Sequence, residues 1–447
     1  MSSDTARIDN VQRRARARGR SAAGSVAESL AFPLAVWAIH LLLTQIPATL
    51  AYQFGNFRST QGFGPKSGAY GGILEPLGGI AGWIAEPFRH WDGTWYRLVA
   101  VEGYAEGGAA KAAFWPLYPW LMEFGAGITG LAPETVGYLI SNVAFLGALI
   151  VLYRLIGMDF NAEIARRTLW VLALFPTAFF FTAVYTESLF LLLASAALLG
   201  ARRGEWLVAG ILGLFAALTR SSGFMLLAPF GVLFIQQYGM SPRRWFPHVV
   251  PAALPVLGPI IFGWFLRANG RSFFAFAEEQ WQWNRFSATP WRTIDCTIRG
   301  CREEVRQFGG VRDSYIKPID WGWPGELLSN LNWRFITSSD FRYRVGESHI
   351  LEFLVTVVAF ALVLVGLKKL PLYYTAFIVP PLIVPLLTPS SVNPLMSMPR
   401  FVLPLFPLFV MIAILLRGRK LAVPLAVGSS FLLVILTMQF AQWYWVA

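Results

Sequence analysis

A short aromatic motif with a single carboxylate is the first candidate for chemistry in this chain. Residues His90 to Tyr96 read HWDGTWY, with Asp92 between Trp91 and Trp95. An aspartate at such a position could cap a short helix. It could also be a general base, because a carboxylate partly desolvated by indole rings can accept a proton from a sugar hydroxyl. Tryptophan and tyrosine faces also suit sugar rings, so the motif has a structural and a catalytic interpretation.

Three further charged residues lie at the ends of apolar segments: Glu187 in AVYTESLF, Arg220 in LTRSSGF and Arg400 in SMPRFVLPLFP. A charge in the middle of a bilayer costs about 3 kcal/mol on insertion scales, so ionisable residues at such depth are functional candidates. Snorkelling or a structural ion pair is the alternative. Arginine can hold a phosphate through two parallel hydrogen bonds, and we therefore predict phosphate binding by Arg220 and Arg400.

A second aromatic segment, residues 276–290, reads FAEEQWQWNRFSATP and follows an apolar segment. The side chains that could line the same cavity are Gln280, Trp281, Trp283, Asn284 and Arg285. An amphipathic aromatic helix at the membrane interface explains the segment equally well.

The composition places these residues in a membrane protein. Of the 447 residues, 55% are apolar and 14% are charged, whereas soluble domains have about 25% charged residues. This excludes an ordinary cytosolic enzyme. Apolar segments of about 20 residues recur, so we predict an all-α polytopic membrane protein with about eleven transmembrane helices. The predicted spans are residues 31–52, 133–156, 168–184, 186–201, 206–219, 222–239, 247–267, 350–367, 370–388, 401–416 and 421–444.

Residues 113–131 are apolar but contain two prolines, Glu123 and several glycines, so we interpret them as a re-entrant or interfacial element. With this assignment the basic loops and the basic run at residues 11–20 fall on one side and account for the net charge of +12. By the positive-inside rule that side is cytoplasmic. We therefore predict a cell-membrane protein with a cytoplasmic N-terminus and no nucleic-acid partner, divided into a basic tail (1–30) and one transmembrane catalytic domain (31–447).

This topology leaves two long segments on the outer face, residues 53–132 and 268–349, and both are expected to fold against the membrane surface. The only two cysteines, Cys296 and Cys301, lie in the second segment, where an oxidising compartment makes a local disulfide possible. A zinc site is not expected, because the four histidines show no metal-ligand spacing with these cysteines. We find no nucleotide-binding glycine motif and no obvious internal repeat.

The outer face therefore combines a candidate base, two candidate phosphate-binding cations and aromatic platforms at the membrane boundary. This combination suits a sugar linked to a lipid phosphate as donor and a water-soluble acceptor. A transporter or flippase of a lipid-linked sugar is the main alternative, although it would need polar residues through the middle of the spans and often has an internal repeat. A non-catalytic subunit of a glycosyltransferase complex is a third possibility, and it would tolerate the loss of Asp92.

Several motifs in order resemble the PIG-V-like family, which contains GPI mannosyltransferase II and its bacterial relatives. These motifs are HWDGTWY, GY at 103–104, FWPLYP at 114–119, FPTAFFFTAVYTESLF at 175–190, LTRSSG at 218–223, QWQWNR at 280–285 and SMPRFVLPLFP at 397–407. The resemblance implies a GT-C glycosyltransferase, a multi-helix membrane enzyme that uses a polyprenyl-phosphate sugar and carries an acidic residue in its first outer loop.

For this chain, the resemblance implies an inverting transfer of mannose from polyprenyl-phosphate-mannose to a glycan or glycolipid hydroxyl, with Asp92 as the base. Arg220 and Arg400 would stabilise the departing phosphate. No metal or other cofactor is expected, since two arginines can offset a monophosphate and no carboxylate cluster marks a cation site. The residues predicted to bind sugar or acceptor are His90, Trp91, Tyr96, Tyr118, Glu187, Gln280 and Trp283.

Overall fold

The computed structural model describes residues 3–55, 76–105, 109–307, 310–322 and 349–446, with side chains from residue 29 onward. Within these ranges the regular elements are α-helices, short 3₁₀ turns and one β-hairpin. The helices are α1 (Ser3–Phe54), α2 (Gly79–Ile84), α3 (Asp92–Glu102), α4 (Leu117–Thr129), α5 (Pro133–Asp159), α6 (Ala162–Ala173), α7 (Glu187–Arg202), α8 (Trp206–Thr219), α9 (Leu227–Tyr238), α10 (Pro242–Trp245), α11 (Val249–Ala253), α12 (Leu257–Ala268), α13 (Ala275–Glu278), α14 (Pro290–Arg299), α15 (Ile350–Gly366), α16 (Leu372–Leu387), α17 (Met398–Phe401), α18 (Phe406–Leu415) and α19 (Ala422–Ala441). The strands are β1 (Cys301–Gln307) and β2 (Gly310–Ile316).

Four helical segments are long and apolar enough to cross a membrane: Ser29–Phe54 of α1, all of α5, Val249–Ala268 and α19. Shorter apolar helices are α8, α15, α16 and α18. Together they confirm the predicted all-α, multi-pass membrane architecture, although the count of about eleven spans is not established. Helices α5 and α7 pack side by side, α7 packs against α8, and α1 packs against α19. The helix α1 continues without a break across residue 30, so the proposed boundary between tail and domain stays a prediction.

Three of the predicted spans are interrupted next to the charged candidate residues. The predicted span 168–184 contains the end of α6 and then a buried 3₁₀ turn, Ala178–Phe181, after Pro176. The span 222–239 starts with a 3₁₀ segment, Ser221–Leu226, and the span 401–416 is broken between α17 and α18. Prolines disfavour helix at the preceding residue. Irregular backbone at membrane depth is tolerated where protein surrounds it, and here the irregular segments adjoin Glu187, Arg220 and Arg400.

The segment 113–131 contains α4, which has 13 residues. At 1.5 Å per residue this helix is about 20 Å long, shorter than the roughly 30 Å of a hydrocarbon core. Its Phe124 and Ile128 side chains are exposed, and the helix packs against α3 and α5. The length agrees with a non-spanning element, while its position relative to a membrane stays a prediction.

The second predicted outer segment contains α13, a 3₁₀ turn at Glu279–Trp283, α14 and the β-hairpin. Strands β1 and β2 are antiparallel, with Cys301 opposite Ile316. Cys296 of α14 and Cys301 of β1 form a disulfide, which settles the possibility that the sequence left open. Gly300 makes the sharp turn between them with φ of 73°, a left-handed conformation that glycine adopts without strain. Residues 56–75 and 323–348 of the predicted outer segments lie outside the described ranges.

Candidate active site

The aromatic motif positions Asp92 at the start of α3. Trp91 precedes the helix with φ of 55°, and no side chain caps this helix end. The backbone N–H of Asp92 donates to Tyr185 Oη at 3.1 Å, and that hydroxyl donates to the His90 carbonyl at 3.3 Å. Asp92 is therefore the first helical residue and not a cap. Its carboxylate instead accepts a hydrogen bond from the Arg400 guanidinium.

Four charged residues from distant parts of the chain meet here, and we name them the Asp92 cluster: Asp92, Glu187, Arg220 and Arg400. Arg400 pairs with Asp92, and its Nε lies 3.3 Å from Glu187 Oε1. Arg220 donates through Nη1 to the same Glu187 oxygen. Glu187 is almost fully buried, whereas the other three side chains are 13–15% exposed. The buried carboxylate thus holds two arginines side by side.

A fifth charged residue, Arg285, lies beside this cluster. Its guanidinium donates through Nη1 to the Thr388 carbonyl at 2.8 Å and through Nη2 to the Met396 carbonyl at 3.4 Å. The Phe401 ring has three guanidinium carbons around its centroid, those of Arg400 at 5.4 Å, Arg285 at 5.7 Å and Arg220 at 5.8 Å. Cations at such distances interact favourably with an aromatic face. Phe401 therefore helps to hold three cations in one region.

These residues open onto a cavity of about 430 Å³, within the size range of small-molecule sites. Of the residues predicted from the sequence, it is lined by Asp92, Arg220, Arg400, Tyr96, Gln280 and Trp283. The indole of Trp283 packs edge-on against Trp95 at 5.3 Å and against Phe114 at 5.5 Å. The cavity is thus a mixed surface of cations, one carboxylate and aromatic rings.

The other predicted binding residues lie behind this surface. His90 stacks on Trp443 at 4.2 Å, and its Nδ1 lies 3.0 Å from the Phe440 carbonyl. Burial lowers the pKa of His90 to about 3, so the imidazole is neutral and donates to that carbonyl. Tyr118 donates to the Gly137 carbonyl at 2.8 Å.

Trp91 and Glu187 also lie behind the residues that line the cavity. Trp91 packs edge-on against Trp445 at 5.0 Å, and Glu187 reaches the cavity only through the arginines that it binds. Like His90 and Tyr118, they do not line the cavity. Direct binding of sugar or acceptor by these four residues stays a prediction.

Sequence reasoning did not select Trp445, which lines the same cavity as Asp92. The aromatic run QWYWV at the end of the last apolar segment was the available signal. Arg285 was noted as a possible lining residue and does line the cavity, whereas its neighbour Trp281 lies under the Arg306 guanidinium at 4.8 Å. Position in the chain gave no reason to connect residue 445 with residue 92.

One group of potential metal ligands occurs in the described ranges, formed by Cys296, Cys301 and Glu303. The two sulfur atoms are bonded to each other, so neither is available as a thiolate ligand. The Asp92 cluster offers carboxylates that arginines already occupy. Independence from a metal or other cofactor remains an expectation.

Part of this chain is similar in sequence to a known protein family. Residues 81–241, a little over a third of the chain, match the model of the mannosyltransferase (PIG-V) family. This region contains Asp92, Glu187 and Arg220, while Arg285 and Arg400 lie beyond it. No curated protein sequence matches the chain significantly.

A structural match is the crystal structure of ArnT from Cupriavidus metallidurans bound to undecaprenyl phosphate, with 15% identity and a TM-score of 0.45. The match covers 91% of this chain and 62% of ArnT, so the chain spans less than two thirds of that protein's length. Over residues 81–241 the chain carries the sequence signature of the mannosyltransferase (PIG-V) family, which confirms the resemblance predicted from its motifs.

Proposed function

We propose that this protein is a membrane glycosyltransferase that moves mannose from polyprenyl-phosphate-mannose to a hydroxyl of a glycan or glycolipid. The family match over residues 81–241 supports the reaction class. The observation that carries the proposal is the single cavity that Asp92, Arg220 and Arg400 line together. A proton acceptor and two phosphate-binding cations are the groups that transfer from a lipid phosphate requires.

In the proposed reaction, Asp92 accepts the proton of the acceptor hydroxyl as that oxygen attacks C1 of the β-linked mannosyl phosphate. The bond between C1 and the phosphate oxygen breaks on the opposite face, so the product is an α-mannoside and the polyprenyl phosphate leaves. A positioned base of this kind contributes about 10² to 10⁴ in rate. The proton ends on Asp92 and is then released to water.

The pairing of Asp92 with Arg400 suggests an order of binding. The Asp92 oxygen that accepts a hydrogen bond from Arg400 Nη1 is occupied by that bond and is not free to accept the proton of a hydroxyl group. A donor phosphate at Arg400 would compete with Asp92 for the same N–H groups. Donor binding would then loosen the Asp92–Arg400 pair and make the base available for the acceptor.

Glu187 has a positioning role in this proposal. It binds both Arg220 and Arg400 through one oxygen and is itself buried, which fixes the two guanidinium groups before the substrate arrives. Preorganised donors that face a developing negative charge are worth about 3 kcal/mol each. The arginines would therefore stabilise the phosphate as it leaves.

Aromatic side chains would hold the sugar. Trp283, Tyr96 and Trp445 line the cavity around Asp92.

The test uses the purified full-length protein in lipid nanodiscs with polyprenyl-phosphate-mannose and acceptors extracted from membranes. We expect an α-linked mannoside, identified by the anomeric NMR signal, and no transfer from a nucleotide-linked mannose. Transfer from the nucleotide sugar alone, or a β-linked product, would contradict the proposal. Movement of the lipid-linked sugar across vesicles without any transfer would establish the flippase alternative.

We also propose that the N-terminus is cytoplasmic and the active site faces outward. The Cys296–Cys301 disulfide supports this orientation, because disulfides persist in oxidising compartments. In a variant with both cysteines changed to serine, Arg299→Cys would introduce one thiol at a side chain that is 81% exposed. An impermeant maleimide should label intact cells from outside; labelling only after the cytoplasmic face is opened would invert the topology.

A further inference from the structure

Positively charged side chains outnumber negatively charged side chains around the cavity. Asp92 is the one acidic residue lining the cavity in the described ranges, and Glu187 binds two of the arginines from behind. Against these two carboxylates stand three guanidinium groups, those of Arg220, Arg285 and Arg400. The site therefore carries one positive charge in excess.

The positive charge that no carboxylate offsets is that of Arg285. Arg220 and Arg400 have carboxylate partners, whereas none of the described carboxylates lies within 4 Å of the Arg285 guanidinium. Its hydrogen bonds go to two neutral backbone carbonyls. A guanidinium has five N–H donors, so donors remain for a ligand. Burial and the nearby Arg400 lower the pKa of Arg285 to about 10, at which the group is still charged at neutral pH.

The surrounding backbone holds Arg285 in place. Asn284, in a left-handed conformation with φ of 56°, accepts a hydrogen bond from Ser391 N–H at 2.8 Å. Phe286 N–H donates to the Pro389 carbonyl at 3.0 Å. These bonds join the QWQWNR segment to the chain after α16, which also supplies the Thr388 carbonyl. Arg285 is thus fixed at the cavity wall before any ligand binds.

We propose that Arg285 binds the phosphate of the lipid donor and supplies the charge that this phosphate neutralises. The inference rests on the proposed function. A sugar-phosphate lipid is a phosphodiester with one negative charge, which equals the excess in the site. When the glycosidic bond to phosphate breaks, the leaving phosphate monoester carries a second negative charge while Asp92 gains a proton, so the site stays neutral throughout transfer.

Arg285 also allows a cleaner test than Arg220 or Arg400. Removing either of those arginines would take a cation from a buried or partly buried carboxylate, which is destabilising in itself. Arg285→Gln takes no cation from a described carboxylate, and the glutamine amide can still donate to a backbone carbonyl. Arg285→Lys keeps the charge, while Arg299→Gln removes an exposed charge from α14 outside the cavity and serves as the matched control.

The experiment measures binding of a short polyprenyl phosphate, the matching polyprenol and inorganic phosphate to the purified full-length protein. We expect Arg285→Gln to bind the polyprenyl phosphate about tenfold more weakly, the scale of one hydrogen bond to a charged group. Binding of the polyprenol should not change. Arg285→Lys should retain most of the affinity, and Arg299→Gln should match wild type.

Three results would overturn the assignment. Arg285→Gln could bind the polyprenyl phosphate as tightly as wild type, or it could lose as much affinity for the polyprenol as for the polyprenyl phosphate. The third result is that inorganic phosphate binds to the wild type as tightly as the lipid phosphate. The last would mean that the site recognises a free phosphate. Failure of the wild type to bind the lipid phosphate would reject the proposed donor itself. Unchanged transfer by Asp92→Asn would reject only the proposed base, so the two failures are distinguishable.

Discussion

Two groups of buried ion pairs lie at either end of the short segment 86–92, and they differ in charge balance and in access to the cavity. The first, which we name the Glu134 network, consists of Glu86, Arg89, Arg97 and Glu134. Arg89 pairs with Glu86 at 2.5 Å and with Glu134 at 2.8 Å, and Arg97 pairs with Glu134 at 3.0 Å. The second is the Asp92 cluster with the adjacent Arg285.

The Glu134 network has two acids and two bases, and none of its members lines the cavity. The Asp92 cluster and Arg285 have two acids and three bases, and four of these five side chains line it. Burial of charge is therefore shared by both regions and does not distinguish a site from a structural element. Access to a cavity and an uncompensated charge are what distinguish the second region.

The largest effect should come from the carboxylate that faces the cavity. Asp92→Asn keeps the size of the side chain and removes the base, so we expect mannose transfer to fall by about 10²- to 10⁴-fold with the fold intact. The measurement is initial transfer rate alongside thermal unfolding of the same preparation. Asp295→Asn changes a carboxylate of α14 that is 43% exposed and does not line the cavity, and it should transfer at the wild-type rate. A wild-type rate for Asp92→Asn would remove the contrast between the two regions.

A substitution in the Glu134 network should lower the stability of the protein and leave catalysis unchanged. Glu134→Gln leaves Arg89 and Arg97 without this partner, and loss of one member of a buried pair costs about 3–5 kcal/mol. We expect a lower unfolding temperature in detergent and unchanged transfer per folded molecule. Glu303→Gln, which removes a partly exposed pair with Arg292, is the control and should cost under about 1 kcal/mol. A catalytic defect without destabilisation in Glu134→Gln would place the network in the active site.

His90 lies between the two regions and allows a test by pH. Its pKa is lowered by burial from 6.5 to about 3, so folding keeps the imidazole neutral. This contribution to stability is complete above pH 6.5 and is lost as the pH falls toward 3, reaching about 2 kcal/mol of loss at pH 5. Unfolding temperatures of wild type and His90→Gln should converge on acidification. An equal slope in wild type and His90→Gln would mean that His90 does not titrate this way.

The smallest effect is expected at the edge of the Glu134 network. The Arg97 side chain is 31% exposed, so water replaces part of its environment when it is removed, and Arg89 still pairs with Glu134. Arg97→Gln should therefore cost about 1 kcal/mol or less in unfolding free energy, measured by denaturant titration in micelles. A cost as large as that of Glu134→Gln would show that the network needs both arginines equally.

The sequence predicted much of the candidate site because its chemistry uses residue types that are rare in apolar surroundings. Asp92, Glu187, Arg220 and Arg400 could be selected individually, since each interrupts an apolar or aromatic context. Their pairing could not be predicted, because Arg400 and Asp92 are 308 residues apart. Trp445 was missed for the same reason, because its packing against Trp91 joins residues from distant parts of the chain.

The sequence by itself determined the membrane class, the helical architecture and the identity of the charged candidates, because hydrophobicity and side-chain chemistry are local properties. Only the tertiary structure decided where the apolar spans break, that Cys296 and Cys301 are bonded, and that one buried cluster is balanced while the other has Arg285 in excess. Charge balance is the sum of the charges on residues that packing brings together, and these residues come from distant parts of the sequence.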